Sequence, residues 1–313
     1  IMEIKLIDNQ GNTRSIYMLK SRIQTEIDKG NSVLVNFLQP GVQYLKNGKY
    51  CTVVDFMNEY HDKPVRFQSN LVPLKECKSN FSYTNDMFMS GPKLYQENKM
   101  CKKLLQKLLK HDGKQVNKHW DMLLGEASDN KDWLFEQIKN HLVHDKTFLT
   151  YFGRDTNKGA WSVDVVRPKT HTAETLNKDT QIRCSDLIDP EIYNSTYYTA
   201  MIETTIHNDF AMFSEKQAKP IIAKRPFIIF GSCGHLKAFR SLGFKSFSEV
   251  IDESYDNIVD KSQRWQKALD SMLLLSRQDP LQVYKKLTQV LEHNKKHFED
   301  NEWKRCITWN SYL

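Results

Sequence analysis

Short apolar, largely β-branched runs alternate with turn signals through the first third of the chain. Ile4–Ile7 and Val33–Phe37 carry this pattern, Tyr50–Phe56 is similar, and Gly11-Asn12, Gln39-Pro40-Gly41 and Asn47-Gly48 lie between them. Such runs predict strands separated by loops. Val65–Phe67 and Phe81–Tyr83 predict two more. From Lys93 to Lys110 the period lengthens, with Leu104, Leu105, Leu108 and Leu109 on one face and lysines on the other, which predicts a helix. Together these elements read as a small α/β domain over residues 1–113, its boundary near His111-Asp112-Gly113-Lys114. It holds no G-x-G-x-x-G phosphate loop.

Beyond the boundary the pattern becomes strand, helix, strand. His119–Leu124 predicts a strand and Asp132–Leu142 an amphipathic helix carrying Trp133, Phe135 and Ile138. Phe148–Phe152 predicts a second strand ending at Gly153-Arg154, which completes a βαβ unit. Asp155–Pro190 is polar and reads as a long loop or lid, a kind of segment that is often functional. Order resumes at Ile192–Thr204, with a strand over Thr199–Ile202 and Glu203 at its carboxyl end. Asp260–Leu275 and Leu281–His293 carry the apolar stripes of two helices.

The densest information lies in F-A-M-F-S-E-K-Q-A-K-P-I-I-A-K-R-P-F-I-I-F-G, Phe210 to Gly231. Glu215 and Lys216 open a short helical run with Ser214 placed as its N-cap. Pro226 then leads into Phe227–Phe230, a buried strand, and Gly231 closes it. Helix, turn, strand and glycine form half a unit of a parallel α/β sheet. Ligands of such sheets sit outside the carboxyl ends of the strands. Read alone, Ser214-Glu215-Lys216 is a common kind of helix start with an acidic first turn, and the functional reading needs the downstream Pro226, strand and Gly231 beside it.

Length and composition allow this organisation. The 313 residues suit two domains, and 40% hydrophobic with 27% charged residues is ordinary for a soluble globular protein. No uninterrupted apolar run of membrane-spanning length occurs, and Ile1-Met2-Glu3-Ile4-Lys5 lacks the basic segment and apolar core of a signal peptide. Cys51, Cys77, Cys101, Cys184, Cys233 and Cys306 are scattered without metal-ligand spacing, so free thiols in a reducing cytoplasm are expected. The net charge of +7 either draws the chain toward nucleic acid or anionic substrates or marks a Lys-rich solvated surface; composition does not decide between them. Lys99–Lys110 is periodic, as a solvated helix face would be. His207, His235 and His293 stand apart in sequence, which suits structural or surface roles.

The triplet Ser214-Glu215-Lys216, followed by an apolar helix, Pro226 and a strand ending at Gly231, resembles the donor-binding signature of fucosyltransferase-like and exostosin-like glycosyltransferases. Gly234 to Asp256 (G-H-L-K-A-F-R-S-L-G-F-K-S-F-S-E-V-I-D-E-S-Y-D) is similar to a group of phage- and virus-encoded glycosyltransferases. The resemblance covers roughly Trp120 to Asp256. It departs from the cellular families in two places: the gap from Glu-Lys to Pro is a residue or two shorter, and Asn130-Lys131 stands where they carry an arginine.

The resemblance implies a GT-B-like α/β fold of two Rossmann-like domains facing a cleft. Residues 1–113 would form the acceptor side and 114–313 the nucleotide-sugar side, with C-terminal helices, Trp303–Leu313 among them, returning to the first domain. It implies a nucleotide-sugar donor, a hydroxyl acceptor and no separate cofactor. Transfer must stabilise the charge growing on a diphosphate. A D-x-D motif, which would hold a metal for this, is absent, whereas Lys216, Lys219, Lys224 and Arg225 cluster around one helix. A metal-free route is therefore expected. Ser214, Glu215, Lys216, Lys219, Arg225, Gly231 and Asp252 become the donor-binding set, with Glu203 and Glu215 as the catalytic carboxylates. Glu203 could equally be a strand-end carboxylate capping a neighbouring helix, and Asp252 and Asp256 could order the loop beside the donor. The general base is open among Asp55, Glu59 and His61. The positive charge suits duplex DNA with a modified base as acceptor, which would place a phage-encoded enzyme in the host cytoplasm. The opposing readings are a non-enzymatic nucleic-acid-binding protein and a structural protein on a degenerate transferase fold. Lysines not interleaved with exposed aromatics argue against the first.

Overall fold

A computed structural model describes residues 3–8, 13–37, 44–46, 49–69, 71–74, 77–83, 99–108, 116, 118–125, 128–151, 188–203, 206 and 210–300. Two four-stranded parallel sheets organise them. The first contains β1 (Glu3–Asp8), β2 (Ser32–Phe37), β5 (Val65–Ser69) and β7 (Asn80–Tyr83), side by side in chain order. A short hairpin, β3 (Tyr44–Lys46) with β4 (Lys49–Cys51), stands apart from that sheet.

Two elements of this half depart from the sequence expectation. Thr13–Asp28 is a sixteen-residue helix, α1, where only strands and loops were expected. Leu19 and Ile23 are buried on it and Ile27 packs partly against the core, a helical spacing that strand-oriented reading passes over. The expected strand at Tyr50–Phe56 ends at Cys51 and becomes helix α2 (Val53–Asn58). Thr52 caps it: its hydroxyl accepts from the Asp55 N–H while the Asp55 carboxylate accepts from the Thr52 N–H. This reciprocal capping box outweighs the strand propensity of Val53 and Val54. The expected lysine-faced helix is present as α3 (Lys99–Gln106), with Cys101 and Leu104 buried.

The second sheet runs β12 (Phe227–Phe230), β10 (Tyr198–Ile202), β8 (Trp120–Leu123) and β9 (Thr147–Thr150), all parallel. Helix α4 (Asp129–Lys139) joins β8 to β9, as the sequence predicts. After β9 the chain crosses to the other side of β8 to build β10, preceded by α5 (Pro190–Ser195). The strand order therefore reverses between β8 and β10, and a reversal of this kind opens a crevice at the carboxyl ends. Helix α6 (Glu215–Ile222) carries the chain on to β12, and α7 (His235–Ser241) follows it.

The halves are stitched by a two-stranded antiparallel ribbon: β6 (Leu71–Pro73) pairs with β11 (Phe210–Met212), so the strand just before Ser214 is held by the N-terminal half. Helices α8 (Lys261–Leu275) and α9 (Pro280–Glu299) pack on the second half. Trp120 donates from Nε1 to Ser276 Oγ at 2.8 Å, and the rings of Trp133 and Trp265 meet at 5.5 Å. On α9, Asn294 exchanges two 2.8 Å hydrogen bonds with the Lys245 backbone, and Lys224 pairs with Glu292 at 2.7 Å. The expected return of the chain terminus to the first half falls on residues 303–313, outside the described residues, as do residues 155–187 of the expected lid and the proposed boundary at 111–114. Among the described residues no helix is long and apolar enough to cross a membrane, and Cys51, Cys77, Cys101 and Cys233 form no disulfide with one another.

Candidate functional site

Strand β10 is buried along its whole length and delivers Glu203 to its carboxyl end, beside the reversal point. The Glu203 N–H donates to Phe230 O at 3.2 Å, so the carboxylate stands level with the end of β12 and Gly231. Glu203 is fully buried, an unfavourable position for a carboxylate unless it is paired and hydrogen-bonded. Ser214 Oγ donates to its Oε1 at 2.8 Å, and Lys216 Nζ lies 3.7 Å from its Oε2. Lys216 also lies 3.6 Å from Glu215 Oε1, so one ammonium sits between two carboxylates. Glu215 Oε2 is buried and without a hydrogen-bond partner among the described residues. A capping box starts α6 here: Ser214 Oγ accepts from the Lys216 N–H at 3.4 Å, and Gln217 Oε1 accepts from the Ser214 N–H at 2.8 Å.

One turn along α6, Lys219 shares with Lys216 a crevice of about 330 Å³, part of it open to solvent. Its other walls are Asp121 and Leu123 of β8, Thr199, Ala200 and Met201 of β10, and Tyr193 of α5. The structure thus brings Glu203, Ser214, Glu215 and Lys216 together at the switch point, and Lys219 joins Lys216 in the crevice beside them. The expected site residues Arg225, Gly231 and Asp252 are placed differently.

Arg225 is 1% exposed and makes the base of the sheet rather than the wall of the crevice. Its Nη2 pairs with Asp121 Oδ2 at 2.7 Å and donates to Tyr198 O at 3.0 Å and to Thr196 Oγ1. Its Nε donates to Thr199 Oγ1 at 3.0 Å and its Nη1 to Tyr193 O at 2.8 Å. Every nitrogen of the guanidinium is engaged by the protein, so the placement is that of a structural cation. Burial pushes the Asp121 carboxyl upward, and Arg225 and the two threonine hydroxyls oppose that shift.

Gly231 owes its smallness to His235. A Cβ at Gly231 would stand 2.9 Å from His235 Nδ1, so the imidazole fills the space where a side chain would go. His235 is buried, and burial holds its pKa down to about 3. Asp252 lies on the flank of α8: a 2.8 Å pair with Lys267, then hydrogen bonds at Ser254, hold its carboxyl down to about 2. Asp256 orders the loop, accepting from the Leu236 and Lys237 N–H groups at 2.8 and 3.0 Å, while burial pushes its carboxyl upward. Lys224 adopts φ +52°, closing α6 in the left-handed region before its exposed pair with Glu292.

In the first half, Asp55 is engaged in the α2 cap, and Glu59 lies between Lys20 at 2.5 Å and Lys46 at 2.9 Å. His61 Nδ1 is 3.0 Å from Asn58 O. The Lys131 N–H joins the Ser128 cap of α4, and Asn130 Oδ1 accepts from Lys261 at 2.7 Å. Of the other histidines, His293 meets Gly243 O at 2.9 Å, and His207 lies outside the described residues.

Sequence reasoning missed Gln217, His235 and Asp121 as parts of this region. Ser214-x-x-Gln217 was legible as a capping box. Asp121, a charge inside the apolar run Trp120–Leu124, marked a buried partner in need of a cation. Nothing in the sequence joined His235 to Gln217.

No family model and no curated protein matches the chain. Among solved structures, one titled as the crystal structure of an alpha1,3-fucosyltransferase aligns over 93% of this chain and 90% of its own, at 9% identity and a TM-score of 0.35. Similarity that low carries no argument about activity, and the functional reading rests on the residues themselves.

Proposed function

We propose that this chain is a glycosyltransferase that moves a sugar from a nucleotide-sugar donor to a hydroxyl acceptor. The observation that carries the reading is the Glu203–Ser214–Lys216 group at the carboxyl end of β10, beside the strand-order reversal, where parallel α/β sheets bind ligands. It coincides with the Ser214-Glu215-Lys216 triplet on which the sequence resemblance rests. In this reading Lys216 and Lys219, with the start of α6, meet the donor diphosphate and offset its growing charge without a divalent ion. Glu215 offers Oε2 to a donor hydroxyl, and Glu203, buried behind Lys216, acts on the reacting sugar's side of the site through that ammonium. A duplex-DNA acceptor is the finer part of the proposal and is motivated by the net charge of +7.

Thermal-shift screening against UDP-, GDP-, ADP- and CMP-sugars tests the donor. A ligand that binds only the native state at a hundred times its Kd stabilises it by about 2.7 kcal/mol. The expected result is a shift with one nucleotide class that Lys216→Ala removes. A protein that no nucleotide sugar stabilises refutes the reading. Fluorescence anisotropy with duplex DNA at two salt concentrations tests the acceptor; absence of binding at low salt rejects DNA and leaves a protein or small glycan.

A further inference from the structure

Behind Glu203 runs a chain of buried polar groups that extends past the Ser214–Gln217 capping box to His235. Ser214 Oγ holds a single proton and delivers it to Glu203 Oε1 at 2.8 Å; the alternative acceptor, Gln217 Oε1, is farther away at 3.4 Å. The Gln217 carboxamide is fully buried, and its Oε1 already accepts from the Ser214 N–H at 2.8 Å. Its other end, Nε2, donates to Met212 O at 3.4 Å and lies 3.2 Å from His235 Nε2. A primary amide nitrogen only donates, so His235 Nε2 accepts and the imidazole proton sits on Nδ1. Among the described residues that Nδ1 is buried without a hydrogen-bond partner against Gly231, and the ring is backed by Phe213 at 4.9 Å. An amide anchored by its donor end at His235 can present only its oxygen to Ser214.

We propose that Gln217, oriented by His235, is the positioning residue of the Glu203 carboxylate. Acting through Ser214, whose N–H its Oε1 holds at 2.8 Å, it fixes the seat from which the hydroxyl donates to Glu203 Oε1 and leaves Oε2 directed at the Lys216 side. This rests on the reading of Glu203 as the donor-side carboxylate. The assignment goes beyond helix capping, because a capping box alone requires nothing of His235. The four side chains come from β10, α6 and α7 and from the cap between β11 and α6, so the arrangement exists only in the folded chain.

Two measurements on the full chain decide it. In ¹⁵N-labelled wild type, imidazole NMR should show His235 as the Nδ1–H tautomer and Gln217→Met should lose that preference. An Nε2–H tautomer in wild type means a reversed amide and overturns the proposal, as does an unchanged Nδ1–H tautomer in the variant. The second measurement compares nucleotide-sugar dissociation constants for Gln217→Met and Ile222→Ala, the latter a core control on the same helix. Hydrogen bonds to charged groups are worth enough that Gln217→Met should weaken binding about tenfold or more while the control stays within about twofold. Equal losses reduce Gln217 to a structural residue and overturn the proposal. If wild type binds no nucleotide sugar, the donor reading fails, and the tautomer decides the arrangement by itself. Should Gln217→Met fail to fold, the wild-type tautomer still decides.

Discussion

Replacing Arg225 with methionine removes a guanidinium of which every nitrogen is engaged and leaves most of the hydrophobic volume in place. The Asp121 carboxylate, 1% exposed, then keeps only the hydroxyls of Thr196 and Thr199, each at 3.2 Å, and the carbonyls of Tyr193 and Tyr198 lose a donor. Removing one partner of a buried ion pair costs about 3–5 kcal/mol, because the other charge is left uncompensated. For a chain of 313 residues the unfolding entropy corresponds to about 0.7 kcal/mol per degree, so the melting temperature should fall by about 5–8 °C. Differential scanning calorimetry on wild type, Arg225→Met, Asp121→Asn and the double variant measures this. Asn keeps the threonine contacts and carries no charge, so the double variant should lose less than the sum of the singles by at least about 1 kcal/mol. A loss under about 1 kcal/mol in Arg225→Met, or strict additivity, would refute the buried-pair account. It would also return Arg225 to the donor-binding set that the sequence suggested.

Other outcomes follow from the same geometry. His235 is held neutral in the fold, with its pKa pushed from 6.5 to about 3, whereas the unfolded chain takes up a proton near the ordinary value. Its contribution to stability is complete above that ordinary value and is lost as pH falls from there toward 3, amounting to about 2 kcal/mol at pH 5. Urea titrations at pH 8 and pH 5 should show this loss, and the His235→Gln difference between the two pH values should be smaller; identical pH dependence in both proteins argues against a buried neutral imidazole. Gly231→Ala forces a methyl to 2.9 Å from His235 Nδ1 and should cost about 1–3 kcal/mol in chemical denaturation, and no measurable cost would mean the ring is free to move. Transfer or donor hydrolysis should survive EDTA; complete loss that manganese or magnesium restores would overturn the metal-free proposal.

Periodicity carried much of the secondary structure. The parallel strands at Val33–Phe37, Trp120–Leu123 and Phe227–Phe230, the amphipathic α4, α8 and α9, and the helix starting at Ser214 were all legible, because each is specified by residues within a few positions of one another. Local signals misread in the N-terminal third were still local: the spacing of Leu19, Ile23 and Ile27 was present between two predicted strands and went unread, and the Thr52–Asp55 box was passed over for the strand propensity of Val53 and Val54. The candidate site divides differently. That Glu203 ends a strand and Ser214 starts a helix is written in the sequence; that one hydroxyl joins them follows from the register of β10 with β12 and from the β6–β11 ribbon that holds the chain before Ser214. Sequence chemistry assigned Lys216 and Arg225 the same role, since both are cations beside one motif. Tertiary packing separated them: the turn after α6 aims Arg225 under the sheet at Asp121, 104 residues away in sequence, while Lys216 remains at the crevice, a quarter exposed. A buried charge takes the partner that the fold brings to it, and no spacing along the chain encodes that choice.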